Sequence, residues 1–290
     1  MCPLPPLPPI KQRSSPSGAD FPFRAPESMR RCDTRARQLL TARPKLKWLP
    51  GNLAADTPFP RSHPPTGCAH NPTGVDPTQE QWAAIADVCA ARNHLPFFDV
   101  AYQGFASGSL DADAWAPRFF AHEKGMELLV AQSYSKNLGL YGERVGALNF
   151  VLADAGAAVR ALSQAKRISR AIISNPPVHG ARIAAMVVGD AALFARWNEE
   201  MGAMAGRIAT VRARLQAELT KAAPDRDWGF VTRQIGMFSF TGLTPAQVDR
   251  MAATHHVYMT RDGRVSLAGL PEARCGYLAA AMAEVIKSGA

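Results

Sequence analysis

The chain has 290 residues, 47% hydrophobic and 20% charged, enough apolar material for a sizeable core in one large domain or two ordinary ones. Its formal net charge of +9 is unevenly placed: residues 1–67 hold 11 Lys/Arg against 4 Asp/Glu, so the basic balance belongs mainly to that stretch and no basic nucleic-acid module is indicated. No run of about 18 apolar residues occurs, which leaves no candidate transmembrane helix, and the five cysteines form no Cys-x-x-Cys pair, which argues against a zinc site or a disulfide framework.

Fourteen of the 23 prolines lie in the first 67 residues. MCPLPPLPPIKQRSSPSG has neither helical nor strand period, so this segment is expected to be disordered and partly polyproline. Residues 28–43 (SMRRCDTRARQLLTAR) read as a solvated basic tail, with an organelle transit peptide as the alternative. Beyond residue 67 the chain turns regular. Thr78, with Gln81 three residues later, predicts a capping box opening a helix through TQEQWAAIADVCAARN. LPFFDV is a short apolar run ending in Asp99, which predicts a buried strand. DADAWAPRFFAHEKG predicts a helix, and ELLVAQSYS and RVGALNFVLA predict two more strands.

Strands alternating with helices imply an α/β fold with a mostly parallel sheet. Sites in such sheets lie beyond the carboxyl ends of the strands, where Asp99, Ser133 and Lys136 would fall. From about residue 180 to 223 the pattern is long and helical. The tail then alternates short strands (GMFSFTG, HHVYMT, RVSLAG) with helices (TPAQVDRMAATHH, EARCGYLAAAMAEVIK), an α+β subdomain.

Imine chemistry with an aldehyde cofactor needs a lysine, a carboxylate to keep a pyridine nitrogen protonated, donors to a ring hydroxyl and an anion site for a phosphate. In SYSKNLGLYGERVG, Ser133 and Ser135 stand beside Lys136, and Arg144 follows eight residues later. Asp99 lies in FFDVAYQGF with Tyr102 three residues on, and Asn71 lies in CAHNPTGVDPT.

At these residues the chain resembles the aspartate aminotransferases, the fold-type I transaminases dependent on pyridoxal 5′-phosphate. CAHNPTGVDPT, FFDVAYQGFASG, QSYSKNLGLYGERVG and SNPPVHGARI are similar to successive family segments, in the family's order and spacing. The likeness continues through QIGMFSFTGLTPAQV and YMTRDGRVSLAGL. It implies a partial cofactor-binding large domain over 68–204 and a C-terminal small domain over 205–290, behind an atypical Pro/Arg-rich segment over 1–67. It implies pyridoxal 5′-phosphate as cofactor, amino acids and 2-oxo acids as substrates, a homodimer, and amino-group transfer from aspartate to 2-oxoglutarate. No metal, nucleic acid or membrane partner is expected. The compartment is expected to be the cytoplasm, with mitochondrion or plastid as the alternative.

Roles carry over by position. Lys136 matches the lysine that holds the cofactor and then shuttles a proton. Asp99 matches the partner of the ring nitrogen. Tyr102 and Asn71 match the donors to the ring hydroxyl, Ser133 and Arg144 the phosphate ligands, and Ser135, beside Lys136, counts among the cofactor-binding residues. Arg264 matches the clamp on the substrate α-carboxylate. Arg170 matches an arginine that reaches the second carboxylate from the neighbouring subunit, with Asn175 beside it. The family also continues well upstream of Cys68, with a Gly-Thr loop for the phosphate, an aromatic stacked on the ring and a tyrosine that crosses the dimer. Residues 1–67 resemble none of this. The expectation is a truncated chain, and two further readings stand beside the first: an impaired remnant that binds cofactor weakly or pairs with an intact relative, and a transaminase of aromatic or other specificity.

Overall fold

The computed structural model describes residues 66–288. The Pro-rich segment, the basic stretch at 28–43 and the outer cysteines lie outside the described residues. Helix α1 (Gln79–Ala91) opens on the expected capping box, with Thr78 and Gln81 satisfying each other's backbone N–H groups. Its buried residues Trp82 and Ala86 are one turn apart and face the first strand, β1 (Phe97–Val100). In β1 the pleat sends Phe98 and Val100 into the core and leaves Asp99 on the open face.

The helix expected over 111–125 is broken in two, α2 (Leu110–Asp113) and α3 (Trp115–His122). The break has a physical cause. The buried Asp113 carboxylate accepts from the backbone N–H groups of Gly104, Ala106 and Ser107 and from the Ser107 hydroxyl, so it serves the loop after β1.

Strand β2 (Leu128–Ser133) pairs parallel with β1, and β3 (Gly146–Val151) pairs antiparallel with β2. The α/β class stands, but among the described residues the sheet is mixed. A loop over 134–145 joins β2 to β3 without a crossover helix, and a connection without a crossover returns the chain antiparallel.

Next come α4 (Ala155–Ile173), α5 (His179–Gly189) and α6 (Ala191–Ala222), the last capped by the Asp190 carboxylate. Short α7 (Phe230–Arg233) leads to β4 (Phe238–Phe240), α8 (Pro245–His255), β5 (Arg264–Ser266) and, after one 3-10 turn, α9 (Cys275–Lys287). HHVYMT, expected as a strand, forms none among the described residues: His255 ends α8, Val257 and Met259 lean on the core, Tyr258 faces solvent, and only Thr260 N–H bonds to β5, at Arg264 O.

Two cores result. One packs Trp82, Phe98 and Phe120 ring against ring, with Met201 and Ile208 from α6. The other packs Val211, Leu215 and Leu219 from the same helix against Val248, Met251, Leu278 and Met282. Helix α6 therefore contributes to both cores as one continuous helix. Between the cores, buried Arg212 of α6 donates to the carbonyls of Val231, Gly236 and Phe238, fixing the approach to β4, and desolvation lowers its pKa to about 10.

Candidate active site

Because β1 and β2 are parallel, their carboxyl ends reach the same edge of the sheet. A cavity of about 210 Å³ opens there, lined by Asp99, Gln132, Ser133, Ser135, Arg144 and Gly146 among others. The loop over 134–145 is closed on itself: Tyr134 N–H donates to Val145 O at 3.2 Å, Leu140 N–H to Tyr134 O at 3.3 Å, and Gly139 N–H to Lys136 O at 3.1 Å. Arg144 takes a left-handed backbone, φ 51°, and its guanidinium donates to Tyr141 O at 3.2 Å. Ser133 Oγ accepts from Ser135 N–H at 3.2 Å. Lys136 leaves this loop with its Nζ 4.9 Å from the centre of the Tyr102 ring.

Asn71 arrives from a separate loop that Asp76 holds by accepting from the Ala69 and His70 N–H groups at 2.6 and 2.8 Å. That loop docks on the C-terminal subdomain through Gly74, whose carbonyl accepts from Ile235 N–H at 2.8 Å. Gly74 has φ +66°, and a Cβ there would stand 2.9 Å from Ile235 O, so the approach admits only glycine. The docking brings Asn71 Oδ1 to Arg264, whose Nη1 donates to it at 2.8 Å. Arg264 also lies over the Phe238 ring at 4.9 Å, and Phe238 meets the buried Tyr102 ring edge-on at 6.4 Å. Burial pushes the Tyr102 phenol up; the Arg264 charge and a hydrogen bond with Asn71 oppose this, while Asp99 and Tyr141 reinforce it. The phenol is thus kept as a neutral donor within reach of all these groups.

The fold links Asn71, Asp99, Tyr102, Ser133, Ser135, Lys136, Arg144 and Arg264 through these contacts and the shared cavity. It does not bring Arg170 and Asn175 to them. Those two line another cavity, about 590 Å³, with Lys166 and Ser169. Sequence reasoning gave no role to Phe238, which seats Arg264, or to Gln132, which lines the cavity. Both sit inside quoted segments, yet only three-dimensional proximity distinguishes them from core residues. Among the described residues, no group of three or more His, Cys, Asp or Glu side chains could hold a metal ion.

Residues 65–282 match the family model "Aminotransferase class I and II". The chain is 64% identical over 217 residues to a chloroplastic aspartate aminotransferase of Arabidopsis thaliana, covering 74% of this chain and 48% of that one. A mitochondrial aspartate aminotransferase from Trypanosoma brucei has a similar structure, with TM-score 0.72 and 45% identity, covering 76% of this chain and 57% of the other. An aromatic-amino-acid aminotransferase from Burkholderia pseudomallei, solved covalently bound to pyridoxal phosphate, gives TM-score 0.73 and 44% identity over 76% of this chain and 55% of its own. The chain spans about half the length of the curated relatives it matches.

Proposed function

The chain belongs to the aminotransferase class I and II family, and from that premise we propose that it serves amino-group transfer between aspartate and 2-oxoglutarate with pyridoxal 5′-phosphate. One observation carries this reading: a carboxylate, two hydroxyls and a guanidinium line one cavity, with an amine over a neutral phenol and an arginine–asparagine pair beside it. That donor set fits the cofactor handle by handle. Asp99 suits the ring nitrogen, Tyr102 and Asn71 the ring hydroxyl, Ser133, Ser135 and Arg144 the phosphate, and Lys136 the aldehyde. When bound, the cofactor supplies an aldehyde that captures amino groups and a ring that accepts electron density from the substrate Cα.

The protein's own residues do the rest. Asp99 would keep a proton on the ring nitrogen, since a carboxylate near a cation favours its charged form. Arg264 would hold the substrate α-carboxylate bidentately, its guanidinium already oriented by Asn71 and the Phe238 ring. Lys136 Nζ would take the proton from the substrate Cα and deliver it to the cofactor's former aldehyde carbon. Arg170, on a surface separate from this cavity, would reach the second carboxylate of a substrate held by a partner copy, with Asn175 supporting it. A homodimer is therefore part of the proposal. It is supported by the apolar residues Leu162, Ile168 and Ile172, which α4 leaves exposed. We take residues 68–204 as the partial large domain and 205–290 as the small one. Among the described residues no helix is long and apolar enough to cross a membrane. The chloroplastic and mitochondrial relatives favour a plastid or mitochondrial site of action.

The test is borohydride reduction of the chain with pyridoxal phosphate, followed by peptide mapping. The cofactor is expected on Lys136, and Lys136→Ala is expected to lose the adduct and to lower transaminase activity by on the order of 10⁴-fold. An adduct that maps to another lysine would sink the assignment. A second reading, an aromatic-amino-acid transaminase, is favoured by the likeness to the Burkholderia pseudomallei aromatic-amino-acid aminotransferase. The ratio of rates on aspartate and phenylalanine separates the two.

A further inference from the structure

Asn137, the residue after Lys136, is 2% exposed and sits where three segments meet. Its backbone carbonyl accepts from Trp197 Nε1 of α6 at 2.6 Å, and its side-chain Nδ2 donates to Gln103 O, just beyond β1, at 3.4 Å. The Gln103 side chain continues the network, donating to Leu110 O at 2.9 Å and accepting from Gln132 Nε2, a side chain of the cavity-lining Gln132, at 2.5 Å. The next residue, Gly104, has φ +93° and lies so close to Met201 that a Cβ there would stand 2.0 Å from its sulfur. Helix α6 thus grips both loops, with Trp197 on the lysine loop and Met201, one turn on, against the loop after β1.

We propose that Trp197 and Asn137 are positioning residues for Lys136, Trp197 tying the backbone beside it to α6 and the Asn137 side chain tying it to the loop after β1, so that the lysine side chain is directed over Tyr102. The inference rests on the reading of Lys136 as the cofactor lysine. Its second support is an anomaly. Asn137 Oδ1 is buried without a hydrogen-bond partner. Burying an unpaired carbonyl is a cost that an apolar side chain of similar size would avoid. Such costs persist where the position serves a site more than the fold. A pinned carbonyl next to the reacting residue, held from a helix rooted in the core by Met201 and Ile208, is a rigid support of the kind an amine needs if its reach is to be reproducible.

The experiment is trace acylation of the chain's lysines with acetic anhydride and mass spectrometry. The reactivity of Lys136 is read against exposed Lys166 in the parent, Trp197→Phe, Asn137→Ala and Trp228→Phe. The last is the structural control, because Trp228 likewise donates from a buried indole, to Ala223 O at 2.8 Å, but in the other core. With one tie of the lysine loop released, to α6 in Trp197→Phe and to the loop after β1 in Asn137→Ala, the Lys136 ratio should rise about two- to tenfold in each, the range one hydrogen bond of ordinary worth sets. It should stay at the parent value in Trp228→Phe. An unchanged ratio in Asn137→Ala overturns the proposal. That variant loses only one 3.4 Å contact and an unpaired oxygen, so it decides the matter even if Trp197→Phe does not fold. Borohydride capture is run on the same samples. No cofactor on Lys136 of the parent would defeat the transaminase reading, while the acylation ratio judges the positioning role independently.

Discussion

Helix α9 buries Cys275, Leu278, Ala279, Ala281, Met282, Ala283 and Val285 among its 13 residues, whereas α4 runs for 19 residues and buries none. Both are amphipathic and neither is short of apolar side chains. Along α4, Val159, Leu162, Ile168 and Ile172 stay exposed, Ile172 by 74%. The difference lies in what each helix is packed for. The C-terminal subdomain closes its core with residues of this chain, while α4 presents apolar side chains that none of the described residues covers. The candidate site is divided the same way. Arg264, Asn71, Tyr102 and the lysine loop are assembled from within the chain, and Arg170 and Asn175 sit on the uncovered surface.

The largest expected effect tests the self-sufficient half. Leu219 is fully buried in the second core, so Leu219→Ala should lower unfolding free energy by about 2–5 kcal/mol, through lost transfer energy and the cavity left behind. Denaturant titration of the two chains measures this. A loss below about 1 kcal/mol would mean the site collapses freely and the core is not the close-packed one described.

Much of this architecture was legible in the sequence, for identifiable reasons. Thr78 and Gln81 announce their capping box because the motif is local, and LPFFDV announces a strand because its burial is complete on one face. Helix α4 is the less legible element, because among the described residues its apolar side chains join no core. HHVYMT misled in the opposite sense: its inward Val257 and Met259 give strand periodicity, but periodicity reports burial, and hydrogen-bond pairing needs a neighbour the sequence does not reveal. The break between α2 and α3 depends on Asp113 turning back to the loop after β1. In the site, the residues with distinctive chemistry were legible. Phe238, Gln132 and Asn137 were not, since a phenylalanine or a side-chain amide reads as ordinary until its neighbours are known.

A smaller effect tests the divided site. If Arg170 contacts the second carboxylate of a substrate in a partner copy, Arg170→Ala should reduce kcat/KM on aspartate by the worth of a hydrogen bond to a charged group. That is about 1.5–3 kcal/mol, or roughly ten- to a hundredfold. The value for phenylalanine, which lacks that carboxylate, should hardly move. Arg170 is exposed and held by no core, so a uniform loss on both substrates would point to a general defect and remove the residue from substrate recognition.

The smallest expected effect is the most diagnostic for α4. Ile172 is exposed on a helix that buries none of its side chains among the described residues, so Ile172→Ser removes little packing there, and the stability of the isolated chain should change by no more than about 0.5 kcal/mol. Self-association should respond differently. If a second copy covers the face formed by Leu162, Ile168 and Ile172, a hydroxyl at the position of an isoleucine loses apolar burial and adds a polar group to desolvate. Sedimentation equilibrium over a concentration series should then place Ile172→Ser further toward monomer than the parent, while unfolding of the dilute chain is unaltered. A fall in dilute-chain stability with unchanged association would mean that Ile172 packs within its own chain, and the contrast between α4 and α9 would fail.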